Sequence, residues 1–220
     1  MRPPCGCSSP VLLALSCLSL GLLLPARACT NLLVTRAASS DDSNIIAYNA
    51  DAANFYTSVY HYPAARHESG ALRKTYSWDY GTYLGEIPEA VQTFNVVGNV
   101  NEHGLVITES TFGGLLQLAG SQRTGLIDYG SLIYITLQRA TNAREAISTM
   151  AWLVDTYGYA STGESFSIAD PNEMWVMELI GKGRHAQGAV WVARKVPDGY
   201  VTGHANQVRE NGYNAVQFYY

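Results

Sequence analysis

Three of the four cysteines in this 220-residue chain, Cys5, Cys7 and Cys17, lie in its first 28 residues, so the body of the chain holds only Cys29. One thiol cannot build an internal disulfide framework, and it needs another explanation: reactive, lipidated, intermolecular or incidental. Basic runs are missing as well. The chain has 14 Lys and Arg against 18 Asp and Glu and a net charge of −4, which gives no ground for a nucleic-acid partner. No stretch after residue 28 is apolar enough to cross a bilayer, for which about 20 residues are needed. His61, His67, His103, His185 and His204 lack metal-ligand spacing, and neither a metal nor an organic cofactor is implied. No Asn opens an N-glycosylation sequon, and there is no internal repeat or low-complexity segment. Gly163-Glu164-Ser165-Phe166-Ser167 lacks the last glycine of a serine nucleophile elbow, and Gly113-Gly114 and Gly181-Lys182-Gly183 suit turns better than phosphate loops.

Long apolar character is confined to the start. Arg2 supplies a positive charge, Val11 to Leu24 is rich in Leu, Val and Ala, Pro25 breaks the run, and Ala26-Arg27-Ala28 offers a small-residue cleavage site. The run is too short for a span, so residues 1–28 are expected to be a secretory signal peptide and residues 29–220 one soluble domain, secreted, lysosomal or otherwise extracytoplasmic. Loss of Arg2 and Arg27 with that leader takes the net charge from −4 to −6. Lipidation of a cysteine in this place is a rival, but Ala26 stands where a lipobox has leucine and Arg27 is an unwelcome charge inside it.

Cleavage after Ala28 makes Cys29 the first residue, with a thiol and a free α-amino group together. The unperturbed thiol pKa is about 8.5 and the α-amine about 7.7 to 8.0, so some of the amine is neutral at pH 7 and can take the thiol's proton. Such a nucleophile needs a group to orient the amine, donors for an oxyanion and a pocket for the acyl group. Asp51 is a candidate orienter, and equally a strand-end turn residue. Asn206 is a candidate side-chain donor, and the backbone near Thr111 a candidate second donor and substrate contact. Glu109 reads equally well as a solvent-facing residue.

The element order frames these candidates. Thr30 to Thr35 and Ile45 to Asn49 read as a hairpin around the polar turn Ser39 to Asn44, which returns Asp51 towards the chain start. Asn54 to Tyr83 reads as a long loop whose aromatics either bind or pack inward. Phe94 to Val100 and Leu105 to Ser110 predict a second hairpin around Asn101-Glu102-His103-Gly104, a structural turn rather than a catalytic site. Leu126 to Arg139 and Asn142 to Tyr157 predict two helices, the second with Asn142 as cap, Glu145 three residues on and Gly158 as stop. Strands follow at Phe166 to Ala169, Met174 to Ile180, Ala189 to Val196 and Tyr200 to Ala205. Strands, a helix pair, then strands again predict an antiparallel-rich α+β layer fold.

Several blocks in order carry a resemblance: Cys29-Thr30-Asn31, Asn49-Ala50-Asp51, Asn101 through Thr111, Ile168 through Trp175, and His204-Ala205-Asn206-Gln207. Together they resemble the dipeptidase A family of N-terminal-nucleophile cysteine peptidases, relatives of the secernins and, more distantly, of penicillin V acylases and bile salt hydrolases. The resemblance runs from Cys29 to about Gln207. It implies an αββα sandwich of the N-terminal-nucleophile hydrolase type, with Cys29 as nucleophile, Asp51 holding its amine and Asn206 on the oxyanion. It also implies small peptides, above all dipeptides, as substrates cleaved through a thioester. Where bile salt hydrolases have an arginine three residues before this aspartate, this chain has Tyr48, so their charge arrangement is not reproduced. Full-length dipeptidases of the family are considerably longer, and the chain is expected to be a carboxy-terminally truncated member. An acylase acting on non-peptide amides, or a non-catalytic secreted or lipid-anchored binding domain, is the alternative.

Overall fold

The computed structural model describes residues 29–51, 58–115, 117–118 and 124–208. The expected leader 1–28 lies outside them, as do residues 52–57 of the expected loop. The largest layer is a seven-stranded antiparallel sheet in the order β13-β12-β11-β10-β9-β8-β3. Its members are β3 (His61–Tyr62), β8 (Val96–Val97), β9 (Val100–Asn101), β10 (Val106–Gly113), β11 (Gly163–Ala169), β12 (Met174–Gly181) and β13 (Ala189–Val196). A three-stranded sheet lies against it, with β1 (Thr30–Val34) between β14 (Val201–His204) and β2 (Ile45–Asn49). Two small two-stranded sheets complete the strands: β4 (Ala65–Arg66) with β7 (Gln92–Thr93), and the hairpin of β5 (Leu72–Tyr76) with β6 (Tyr83–Pro88).

Two helices cover the other face of the large sheet. Helix α1 (Tyr129–Leu137) has all but one of its residues buried, because it packs on α2 and the sheet while touching the β5–β6 hairpin. Its start is set by Asp128, whose carboxylate accepts Ser131 N–H at 2.8 Å. The expected start at Leu126 is therefore early by three residues, since Leu126 N–H bonds the Tyr157 carbonyl and Ile127 bridges to Tyr159 instead. Helix α2 (Ala143–Tyr157) buries one stripe, Ala146, Ile147, Met150, Leu153 and Val154. Asn142 accepts Glu145 N–H at 3.0 Å, and Gly158 closes the helix at φ 73°, a left-handed value that glycine takes freely. Both were legible as cap and stop.

Asp170 ties α2 to the β11–β12 turn. One carboxylate oxygen accepts Ala143 N–H at 2.8 Å, and the other accepts Asn172 N–H at 2.7 Å and Glu173 N–H at 3.0 Å. Asp170→Ala leaves three backbone donors without this partner, one of them buried. It is expected to cost about 2 kcal/mol, read as a lower urea midpoint with an unchanged slope.

Alternation along the strands sorts the two faces of the large sheet. Ile107, Phe166, Ile168, Trp175, Met177 and Leu179 join the helices in the main core, each buried side chain contributing about 1.5–3 kcal/mol. Ala169, Met174, Val176 and Val196 pack against Leu33 and Ile46 of the small sheet. Hydrogen bonds also cross between the sheets. Asn31 donates to the Glu109 carbonyl at 2.8 Å and accepts from Thr108 Oγ1, and Ser167 Oγ bonds His204 Nε2 at 2.8 Å. The described residues thus form a helix layer, a large sheet and a small sheet. Among them no helix lies over the outer face of the small sheet, and none is long and apolar enough to cross a membrane.

Two expectations are corrected. The stretch Asn54 to Tyr83 is not a loop where it is described, but supplies β3, β4, β5 and the start of β6. Its strands bury polar groups: Thr75 is buried, and Arg73 lies inward beside Glu89 at 3.6 Å and donates to Gln138. Hydrophobic alternation, the usual signal of a strand, is therefore missing. Phe94 to Val100 is not one strand either. It folds back at Gly98 (φ 57°), so that β8 pairs with β9, and Asn101 locks the next turn. The Asn101 side chain donates to the Leu137 and Ala140 carbonyls, both at 2.8 Å, and accepts His103 N–H at 3.0 Å and Leu105 N–H at 3.1 Å.

Candidate active site

Cys29 immediately precedes β1, half-buried, and is the one cysteine among the described residues. The β1–β2 register pairs Thr30 with Asn49, which brings Asp51 beside Cys29, and the Asp51 backbone N–H points to the thiol as a donor. On the other side, β1 pairs with β14, Asn31 opposite His204, and so brings in Asn206. Ser110 on β10 joins the two: its Oγ donates to the Cys29 carbonyl at 3.3 Å and accepts Asn206 N–H at 2.7 Å. Asn206 has φ 45°, a left-handed backbone that asparagine tolerates better than most residues. Its side-chain amide donates to the Thr111 carbonyl. Thr111 therefore meets Asn206 through its carbonyl, while its hydroxyl donates to Glu164 at 3.0 Å. Cys29, Asp51, Asn206 and Thr111 all converge on one end of β10.

Two carboxyls that the sequence did not single out stand at the same place. The register Thr111↔Glu164, with Glu109 two positions earlier on the same face of β10, sets Glu109 and Glu164 side by side. Glu109 is 6% exposed and Glu164 0%, so neither faces solvent. Tyr48, on β2, donates its hydroxyl to Glu109 Oε1 at 2.6 Å. Burial raises the pKa of both carboxyls, with that of Glu164 pushed well up, and they are close enough to hold one proton in common. Burial also raises the Cys29 thiol. The Asp51 N–H offsets this in part, and the charges of Glu109, Glu164 and Asp51 add to it. The thiol form therefore prevails at neutral pH, and a base is needed to make the nucleophile.

A cavity of about 280 Å³ opens beside these groups, near the lower size limit of roughly 300 Å³ for small-molecule sites. Glu109 and Tyr48 line it together with Tyr60, Trp78, Tyr129 and Tyr134. Trp78 stacks on Tyr134 with ring centroids 4.9 Å apart, and Tyr60 meets its edge at 5.0 Å. Asp128, the α1 cap, also accepts the Trp78 backbone N–H and so fixes this wall to the helix. Gly130 allows the close contact, since a Cβ there would lie 2.6 Å from Trp78. Tyr129 donates to Asp79 at 2.6 Å at the rim. Tyr60 and Trp78, from the stretch expected as a loop, pack against Tyr134 of α1 and line this cavity.

Sequence reasoning passed over Ser110 and Glu164, met Tyr48 only as a departure from the relatives' arginine, and read Glu109 as equally suited to facing solvent, which its burial corrects. The available signal was a lone Glu in each of two strands otherwise free of charge, Val106–Gly113 and Gly163–Ala169. Taken together, helix, sheet and sheet layers, with a cysteine, a buried acid pair and an amide gathered around one end of β10, are consistent with a layered α+β sandwich of the hydrolase kind. Comparison with known proteins gives the family. The profile of peptidase family C69 matches residues 28–217, and the chain belongs to that family. It is similar to a protein named probable dipeptidase from Latilactobacillus sakei, 30% identical over 203 residues that cover 82% of this chain and 40% of the relative. A probable dipeptidase from Salmonella dublin is 28% identical over 212 residues, covering 85% of this chain and 45% of that protein. A dipeptidase from Bifidobacterium longum is 30% identical over 202 residues, 80% of this chain and 36% of its own length. The chain therefore spans less than half the length of these curated relatives.

Proposed function

We propose that the chain carries the nucleophile of a secreted or lysosomal cysteine-type dipeptidase, in which Cys29, freed by removal of residues 1–28, attacks the amide bond of a small peptide. The observation that carries this reading is the Ser110 bridge, which places Cys29 and Asn206 two hydrogen bonds apart. The Cys29 amine takes the thiol proton, and Sγ adds to the substrate carbonyl carbon. The oxyanion receives the second N–H of the Asn206 amide, the first being engaged by the Thr111 carbonyl. Collapse breaks the C–N bond and passes the proton to the leaving amine, which leaves a thioester on Cys29. Water, deprotonated by the same amine, then attacks the thioester and releases the acid. Asp51 keeps the amine in place from the return of β2. The raised thiol pKa favours this mechanism over one that starts from a standing thiolate.

Incubating the purified protein with a dipeptide panel and measuring released amino acids tests the activity, and intact mass tests the start at Cys29. Turnover of non-peptide amides alone would replace dipeptidase by acylase. Ser110→Ala leaves the strand order in place and removes the bridge. It is expected to lower kcat about tenfold, with little change in the circular dichroism spectrum or the melting temperature. A variant with full kcat would remove Ser110 from the site.

A further inference from the structure

The cavity wall and the acid pair point to the part of the substrate that this site reads. Glu109 Oε2 and Glu164 Oε2 are both buried and receive no hydrogen bond from any described donor, so their acceptor capacity is spent only on the proton held between them. Asp79 is near enough that its charge acts on both. None of the ion pairs among the described residues involves Asp79, Glu109 or Glu164. An acid group that lines this cavity, with no cation paired to it among the described residues and four aromatic rings around it, is suited to a ligand that brings the positive charge with it. The carboxylate accepts its N–H groups and the rings offer their negative faces.

Position narrows the ligand further. The Glu109 side chain is near enough for its charge to act on the Cys29 thiol, and Tyr48, whose hydroxyl donates to Glu109, lies on β2 opposite Asn31, the second residue after the chain start expected at Cys29. In a peptide with a free amino terminus, the α-nitrogen is two bonds from the carbonyl carbon that Sγ attacks. A receptor for it must therefore stand next to the nucleophile, whereas the cation of a long side chain would be met further away.

We propose that Glu109, backed by Glu164 and enclosed by Tyr60, Trp78, Tyr129 and Tyr134, is the receptor for the free α-ammonium group of the substrate, so that the protein acts on unblocked amino termini. This rests on the peptidase reading above, and its test does not need turnover. The full chain carrying Cys29→Ala is titrated with alanyl-alanine and with N-acetyl-alanyl-alanine by calorimetry. Acetylation removes the charge and is expected to weaken binding about tenfold to a hundredfold. With Glu109→Gln added, which keeps the shape of the side chain, both ligands are expected to bind alike and weakly.

Equal affinity of the free and acetylated dipeptides for the Cys29→Ala chain overturns the proposal, as does a preference that survives Glu109→Gln. If Glu109 served the protein's own amine at residue 29 instead, Glu109→Gln would change both affinities equally, which also overturns it. A preference for the free amine in a protein that hydrolyses no peptide leaves the receptor standing and removes the peptidase reading. Hydrolysis without that preference does the reverse.

Discussion

Dipeptide hydrolysis by the Cys29→Ala variant is expected to fall to background, a loss of at least about 10³-fold in kcat. In the proposed mechanism the side chain of Cys29 supplies the atom that forms the thioester, and no other cysteine lies in the described residues to replace it. Cys29→Ser keeps a nucleophilic atom on the same backbone, with the same amine, the same Ser110 contact and the same neighbours. Its hydroxyl is a far weaker acid, and weak residual turnover is expected. The pair of variants separates chemistry from placement. If the alanine variant turned over dipeptides at the wild-type rate, the thioester mechanism would be wrong. If the serine variant lost measurable binding as well as turnover, Cys29 would be needed to shape the site rather than to react. The pH profile carries the same logic: burial and three neighbouring carboxylates hold the thiol above its ordinary pKa, so kcat/KM is expected to rise with pH through the neutral range.

Asn101→Ala is expected to lower stability by about 3–5 kcal/mol, the largest effect foreseen for a residue away from the chemistry. Its side chain is buried and meets four backbone groups: two carbonyls at the end of α1 and two N–H groups of the β9–β10 turn. Alanine leaves most of them desolvated and without a partner, and an unmet buried polar group costs about 1–3 kcal/mol. Asn101→Asp keeps the acceptor but replaces a double donor by a buried charge facing two carbonyls, so it is expected to be no better. Chemical denaturation with fluorescence from the four tryptophans measures both variants. A loss below 1 kcal/mol would mean that water replaces the amide at this turn.

The framework was legible wherever local chemistry decides the structure. Asn142, Glu145 and Gly158 predict the ends of α2 because a cap, an acid in the first turn and a left-handed stop act within a few residues. The β1–β2 pair follows from two β-type runs around a polar turn. The strands between His61 and Pro88 were not legible, since Arg73 and Thr75 face inward and are satisfied by polar partners, Gly85 across the β5–β6 pair, Glu89 just beyond it and Gln138 far along the chain. The acid pair was hidden for the same reason. A Glu in a strand looks the same whether water or another Glu faces it, and only the β10–β11 register decides. Cys29, Asp51 and Asn206 were recognisable through ordered blocks, whereas Ser110, which links two of them, emerges only when β1 is laid on β10.

The placement of β1 has a consequence in time. The strand that carries Cys29 is synthesised early, yet its partner β14 begins at Val201, and at about 5–20 residues per second that separation is many seconds of translation. Its contacts with Thr108 and Ser110 also lie far along the chain. Closing such long loops is slow compared with forming the α1–α2 pair or the β11–β12 hairpin, so the helix layer and most of the large sheet can assemble first. The seat of β1 is then completed late, when β14 pairs with it and Ser110 and Asn206 close around the Cys29 backbone.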